Sequence, residues 1–273
     1  MNSYQVLSKQ QHAKYQWKRA HNYAFAATDL LAPLVQQELP KAALHLPVAF
    51  VEHAGSFVLV ALLGLQQGTN LLVVPANGQW IGGYVPAALR GYPFALVPAD
   101  DGRKALAVDM ASGLVGETVE GEALFANEQP TEALQALLNF LTQLDKDRAA
   151  TAQLCALLAA HGLIQPWPIK AMTANGEKQI KGLLRIDAAK LNQLDAQALH
   201  ALQQAGALQM AYCQLMSTEH LAMLGNLAQL HAQYQTAQAQ QAAQPKQPLP
   251  LDRNGELDLE FLNQGGTLNL SHL

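Results

Sequence analysis

The chain has 273 residues, of which 50% are hydrophobic and 14% charged, with a formal net charge of -4. That apolar content excludes an intrinsically disordered chain, and the small negative balance excludes an overall field drawing in nucleic acid or an anionic membrane. Gln, Asn and Ala stand where Lys and Glu usually do, which predicts a compact fold with an uncharged, partner-facing surface, built as one large domain or two closely packed smaller ones.

The first residues lack the charged and then apolar pattern of a secretory signal. Basic character gathers before Asp29, where Lys9, Lys14, Lys18 and Arg19 are interleaved with Tyr15, Trp17, His21 and Tyr23 and no acidic residue intervenes. Cations beside aromatics fit single-stranded nucleic acid, through phosphate contacts and base stacking. They also fit a solvated lead-in whose rings pack on the fold, and the small number of cations favours this second reading.

From Leu46 short apolar runs alternate with turn chemistry. Val48 to Glu52 and Phe57 to Leu63 flank His53-Ala54-Gly55-Ser56 and predict a hairpin. Leu71 to Val74 and Gln79 to Ile81 flank Pro75-Ala76-Asn77-Gly78, where Asn-Gly adopts positive φ at little cost, and predict a second. Pro86 fits the first turn of a short helix through Arg90. Strands over Phe94 to Pro98 and Ala105 to Asp109 follow, joined at Asp100-Asp101-Gly102, so residues 46–126 read as antiparallel β. The longest apolar run, Phe57 to Leu65, is far short of the ~20 residues that cross a bilayer, so no membrane insertion is expected.

At Pro130-Thr131-Glu132 the period becomes helical, with Leu134, Leu137, Leu138, Leu141 and Leu144 on one stripe. Asp145 to Arg148 interrupts it, and Leu154, Leu157 and Leu158 resume it up to His161-Gly162, where glycine can cap the end. Residues 131–162 are therefore a helical pair or one long bent helix. Residues 164–186 return to strand, with Asn175-Gly176 as a third hairpin turn. Over 188–232 the chain is helical again: Asp187 and Asp195 cap two helices, Gly206 ends the second, and Ser217-Thr218-Glu219 starts a last one carrying Leu221, Leu224, Leu227 and Leu230.

Residues 233–250 are almost entirely Gln, Ala, Pro, Thr and Lys, bury too little to offset the entropy of ordering, and read as a disordered linker. Residues 251–273 form an acidic and apolar tail, with Leu257, Leu259, Phe261 and Leu262 set among Asp and Glu. Docking on a partner and folding back on its own domain both remain open for it. The predicted architecture is α+β: a mainly antiparallel sheet from the N-terminal half plus returning strands near Ile169 and Gly182, with helices packed on one side. Because those late strands rejoin the early sheet, residues 1–232 read as one domain.

Local signatures of chemistry are missing. There is no phosphate-binding loop, no dinucleotide-binding glycine pattern and no nucleophile elbow. None of the nine histidines is followed two positions later by Asp or Glu, and the adjacent pairs Glu52-His53 and Glu219-His220 point in different directions. His200, Cys213 and His220 are weighed as a metal site against satisfied or solvated side chains, and the latter prevails. Asp109 and Ser112, near a turn, are expected to bond their own backbone. Cys155 and Cys213 are the only cysteines and read as inert thiols of a reduced, cytoplasmic protein. No catalytic residue, metal or cofactor is assigned.

One segment, Asn77 to Leu96, gathers the aromatics. Trp80, Tyr84, Tyr92 and Phe94 offer large rigid surface, and Arg90 offers a planar cation for a carboxylate or a ring. The segment is either a pocket for an anionic peptide or small molecule, or a buried corner in which Arg90 ties down backbone carbonyls. The second is favoured.

Across nearly its whole length the chain resembles the SapC-like family. The resemblance begins with Asn22-Tyr23-Ala24-Phe25-Ala26-Ala27, Leu34 to Ala42 and Leu46-Pro47-Val48-Ala49-Phe50. It continues through Leu62-Leu63-Gly64-Leu65, Asn70-Leu71, Gly78-Gln79-Trp80 and Tyr84 to Arg90, then Tyr92-Pro93-Phe94. It closes on Gly182 to Asp187, Leu191, Leu194 and Gly206-Ala207-Leu208. At Gly91 the family more often carries a second arginine. The resemblance implies no catalytic residue; it implies an accessory protein of the kind encoded near outer-membrane receptors and flavin-dependent halogenases, linked by its name to surface-layer proteins and peptide handling.

The leading functional expectation is a non-catalytic accessory protein that binds a protein or peptide partner, through Trp80, Tyr84, Arg90, Tyr92 and Phe94 with Glu38 and Asn70 as further binding residues, and with the tail at Leu257, Leu259, Phe261 and Leu262 as a second docking element. An enzyme acting on a peptide or amino acid, with a cleft dispersed over Glu38, Asn70, Tyr84 and Arg90, is the first alternative. Nucleic-acid binding through the basic lead-in is the second.

Overall fold

The computed structural model describes residues 4–99, 102–173 and 176–243. It divides into a first unit, Met1–His231, and a second, Ala232–Leu273. The fold is α+β, with helices and antiparallel sheets.

The strongest β signal gives the heart of the first unit. Val48–His53 and Ser56–Leu62 form the expected hairpin, in register from Val48 opposite Ala61 to His53 opposite Ser56. Its two-residue turn holds Ala54 and Gly55 at φ 49° and 74°, the twist that matches right-handed strands. The late strand Leu183–Ile186 pairs with Val48–His53, and Ile164–Pro166 pairs with Leu183–Ile186. Leu31–Pro33 closes the other edge against Ser56–Leu62, making a five-stranded antiparallel sheet. Val48, Ala49 and Phe50 are all fully buried in succession. Neighbours on a strand point to opposite faces, so both faces are covered there.

Residues 132–160 form one continuous helix, Glu132–Ala160, which decides between the two predicted forms. Thr131 caps it by accepting from the Leu134 N–H at 3.4 Å. Leu134, Leu141, Leu144, Thr151, Leu154, Cys155 and Leu158 are buried along one stripe. The charged stretch that interrupts the apolar period does not break the helix; Asp145 instead pairs with Lys104 on a neighbouring strand.

Asp187 and Asp195 cap Ala188–Asn192 and Ala196–Ala205 as predicted, accepting from Lys190 N (3.1 Å) and Ala198 N (2.7 Å). Gly206, at φ 85°, ends the second of these, and a separate helix, Ala207–Ser217, begins at once. Thr218–His220 is a short 3-10 turn, so the last helix, Leu221–Ala243, starts later than Ser217. Helix Ala207–Ser217 is stitched to the sheet from inside. The fully buried Gln214 accepts from Ile186 N (2.9 Å) and donates to Val48 O (3.0 Å), while Ser217 Oγ accepts from Val48 N (3.0 Å).

Several expectations need correction. Among the described residues, only Ile164–Pro166 and Leu183–Ile186 of the late strands rejoin the early sheet; Ile169–Thr173 pairs with Gly176–Ile180 as a separate two-stranded hairpin. Strands exist before residue 46: Tyr4–Val6 pairs with Lys104–Asp109, Gln16–Trp17 lies between Val115–Gly116 and Glu122–Ala123, and Leu31–Pro33 edges the central sheet. They are too short to show a period of two. The second hairpin is reduced to a single bridge, Val73 to Trp80, around the predicted turn at Gly78 (φ 70°). Its ladder ends because the chain turns away at Gly82-Gly83, where any Cβ would strike the Trp80 and His45 rings. Residues 233–243, read as linker, continue the last helix, since Gln and Ala propagate a helix once it has nucleated. Asp100-Asp101, Asn175, residues 244–250 and the tail with Leu257, Leu259, Phe261 and Leu262 lie outside the described residues.

Candidate functional site

The aromatic corner is organised around one buried carboxylate. Glu38, 7% exposed, accepts from Val35 N (3.1 Å) through Oε1 and from Ala87 N (2.7 Å) and the Tyr84 hydroxyl (3.0 Å) through Oε2. Trp80 Nε1 donates to Tyr84 O at 3.1 Å. Arg90, at the end of the short 3-10 helix Ala87–Leu89, donates from Nε (3.0 Å) and Nη2 (2.6 Å) to Val85 O, and its guanidinium lies 4.9 Å from the centre of the Tyr84 ring. Burial, reinforced by the Glu38 charge and hydrogen bond, pushes the Tyr84 hydroxyl up to about 12.

Glu38, Trp80, Tyr84 and Arg90 are therefore brought together, and most of their polar groups are spent on backbone. Asn70 is elsewhere and 2% exposed: it donates to Ala26 O (2.9 Å) and accepts from Leu72 N (2.9 Å), pinning a loop. Phe94 is core, 3% exposed, with its ring edge-on to Trp17 at 5.2 Å. Tyr92, before a cis peptide bond to Pro93, stacks on Phe25 at 3.9 Å and donates to Asp109 Oδ2 at 3.2 Å. Burial first, then the Asp109 carboxylate, pushes its hydroxyl up to about 12. Asp109 Oδ1 and Ser112 Oγ take the backbone N–H groups of Ala111 and Leu114, the local bonding expected of that turn.

The stacked Phe25 and Tyr92 rings border two hollows. One, of about 390 Å³, is walled by Tyr23, Phe25, Tyr92 and Phe140 and carries two guanidiniums, Arg19 and Arg90. The other, of about 480 Å³, mixes Asp29, Asp109 and Arg148, and burial raises the Asp29 carboxyl above its usual range. Sequence reasoning missed Arg19 and Phe25 as part of the corner. In the sequence Arg19 belongs to the basic lead-in, and only the fold carries Gln16–Trp17 beneath Phe94.

That same fold uses up the lead-in's rings. Trp17 is 4% exposed, Tyr15 packs on His12, and Tyr23 packs on Phe25 and Trp80, so these aromatics are engaged with the protein, which weakens base stacking as a role. No group of three or more His, Cys, Asp or Glu among the described residues could hold a metal ion; His200 is exposed and His220 Nε2 lies 3.1 Å from Ala43 O. Among the described residues no helix is long and apolar enough to cross a membrane.

Neither a curated protein nor a solved structure matches the chain. A family model described as SapC matches residues 7–224, from the start of the basic lead-in through the first turn of the last helix, and the protein belongs to the SapC family.

Proposed function

We propose that the protein is a non-catalytic accessory protein, acting in the cytoplasm, that binds a protein or peptide partner at the open edge of the aromatic corner. The observation that carries this reading is the division of labour within the corner. Glu38, Asn70 and Trp80 direct their polar groups inward, whereas Arg90, held by Val85 O through two of its N–H groups, and the Tyr92 and Tyr23 rings line a hollow of a size that suits a side chain or small ligand. A rigid frame behind half-buried rings and an exposed guanidinium is the usual make-up of a recognition surface, where Tyr and Arg contribute most of the binding energy.

The same commitments count against the enzyme alternative. A carboxylate already taken by three donors has little capacity left to accept a proton from a substrate. Calorimetric titration of the purified protein with mixed peptides, and separately with divalent metals, tests the proposal. Saturable peptide binding that a folded Arg90→Ala variant loses is the expected result. Stoichiometric metal uptake, or turnover of a peptide or amino acid, refutes it.

A further inference from the structure

Of the two hollows beside the corner, one carries only positive side chains. The protein as a whole is acidic, with a formal net charge of -4, yet among the described residues the 390 Å³ hollow is lined by two arginines and no acidic side chain. Arg19 is exposed and has neither an ion pair nor a hydrogen bond among the described residues. Arg90 gives two of its five N–H donors to Val85 O, and its bond to the Tyr84 hydroxyl draws on another. Its position is set by that bond and by the Tyr84 ring, so its remaining donors are presented with little loss of side-chain freedom. The other walls are apolar or aromatic: Tyr23, Phe25, Leu137 and Phe140, with Tyr92 stacked flat on Phe25. The second hollow, by contrast, holds Asp29 and Asp109 beside Arg148 and has no such bias.

We infer that this hollow receives an acidic peptide segment, seating a large apolar side chain against Phe25, Tyr92 and Phe140 while Arg19 and Arg90 hold the carboxylate of a neighbouring Asp or Glu. Charge complementarity selects the occupant: a basic or neutral segment would leave both guanidiniums unpaired beside an apolar surface, whereas a carboxylate accepts charge-assisted bonds from both. The inference rests on the peptide-binding reading above and adds to it the chemistry of the peptide and the role of Arg19. It also assigns a use to the basic lead-in that needs no nucleic acid.

The test is an array of immobilised hexapeptides that varies acidic, amide, basic, aromatic and aliphatic residues, probed with the full-length protein and with Arg19→Gln. Arg19 is exposed and has no partner among the described residues, so this variant keeps its fold, which its melting curve verifies. Peptides with Asp or Glu next to an aromatic or aliphatic residue are expected to be enriched over their Asn or Gln twins. For the best such peptide, fluorescence anisotropy should read an affinity about fivefold weaker in Arg19→Gln, the scale of one exposed ion pair, with a wild-type affinity that falls as salt rises. Binding without preference for the acid over its amide twin, or an acid preference unchanged by Arg19→Gln, overturns the inference and leaves the peptide reading standing. No enriched peptide at all removes both.

Discussion

Replacing Glu38 with Gln tests whether one carboxylate holds the corner together. The wild-type side chain accepts three bonds, two from backbone N–H groups that burial keeps from water, Val35 and Ala87, and one from the half-buried Tyr84 hydroxyl. A glutamine oxygen directed at Ala87 and Tyr84 keeps two of them, but its amide then meets the Val35 N–H, a donor facing a donor. Losing one charge-assisted bond and stranding a buried N–H costs about 2–3 kcal/mol. In a protein of this size that lowers Tm by about 5–10 °C. Glu38→Ala strands both N–H groups and costs about 4–6 kcal/mol, a large share of a usual stability of about 5–15 kcal/mol. Thermal and urea unfolding followed by circular dichroism measures both variants. A Glu38→Gln melting temperature within about 2 °C of wild type, less than 1 kcal/mol on that scale, refutes the reasoning.

Three further outcomes follow from the interior. Gln214→Leu keeps the shape of the side chain but removes the partners of Ile186 N and Val48 O; it should lower stability by about 2–4 kcal/mol by urea denaturation, and an unchanged midpoint would show that the helix is not pinned there. Burial pushes the Cys155 thiol up to about 12, so a thiol reagent followed by mass spectrometry should label Cys155 only as fast as the protein unfolds; rapid labelling under native conditions contradicts its burial. Tyr84 and Tyr92 both favour the neutral phenol in the folded state. Their contribution to stability is thus complete below pH about 10 and is lost as pH rises through about 12, and an ultraviolet titration should find two late tyrosines, one of which Tyr92→Phe abolishes.

The sequence carried the parts of the fold whose physics is local. Alternation with a two-residue turn located Val48–His53 and Ser56–Leu62, and a single carboxylate before an Ala-rich run located the caps at Asp187 and Asp195. It missed elements whose stability comes from distant partners. Leu31–Pro33 is a strand only because Ser56–Leu62 offers it an edge, and Gln16–Trp17 only because two later segments flank it. The corner followed the same rule. Trp80, Tyr84 and Arg90 were visible as a cluster within one segment, and the link to Glu38 crosses 46 positions from Tyr84. No spacing shows that Asn70 and Phe94 face inward, or that Arg19 arrives beside Arg90; that depends on the path of the chain between them.

The pairing of Leu183–Ile186 with Val48–His53 has a consequence for how the molecule is made. As the nascent chain leaves the ribosome, its first hairpin emerges with one flank bare, and that flank stays open until roughly 120 more residues have been added, a wait of roughly 6–24 s at roughly 5–20 residues per second. Throughout that interval the Phe50 strand offers unpaired N–H and C=O groups to any passing strand. Truncation before Leu183 would make this exposure permanent, so chains ending there should aggregate faster than the full chain, as light scattering would read.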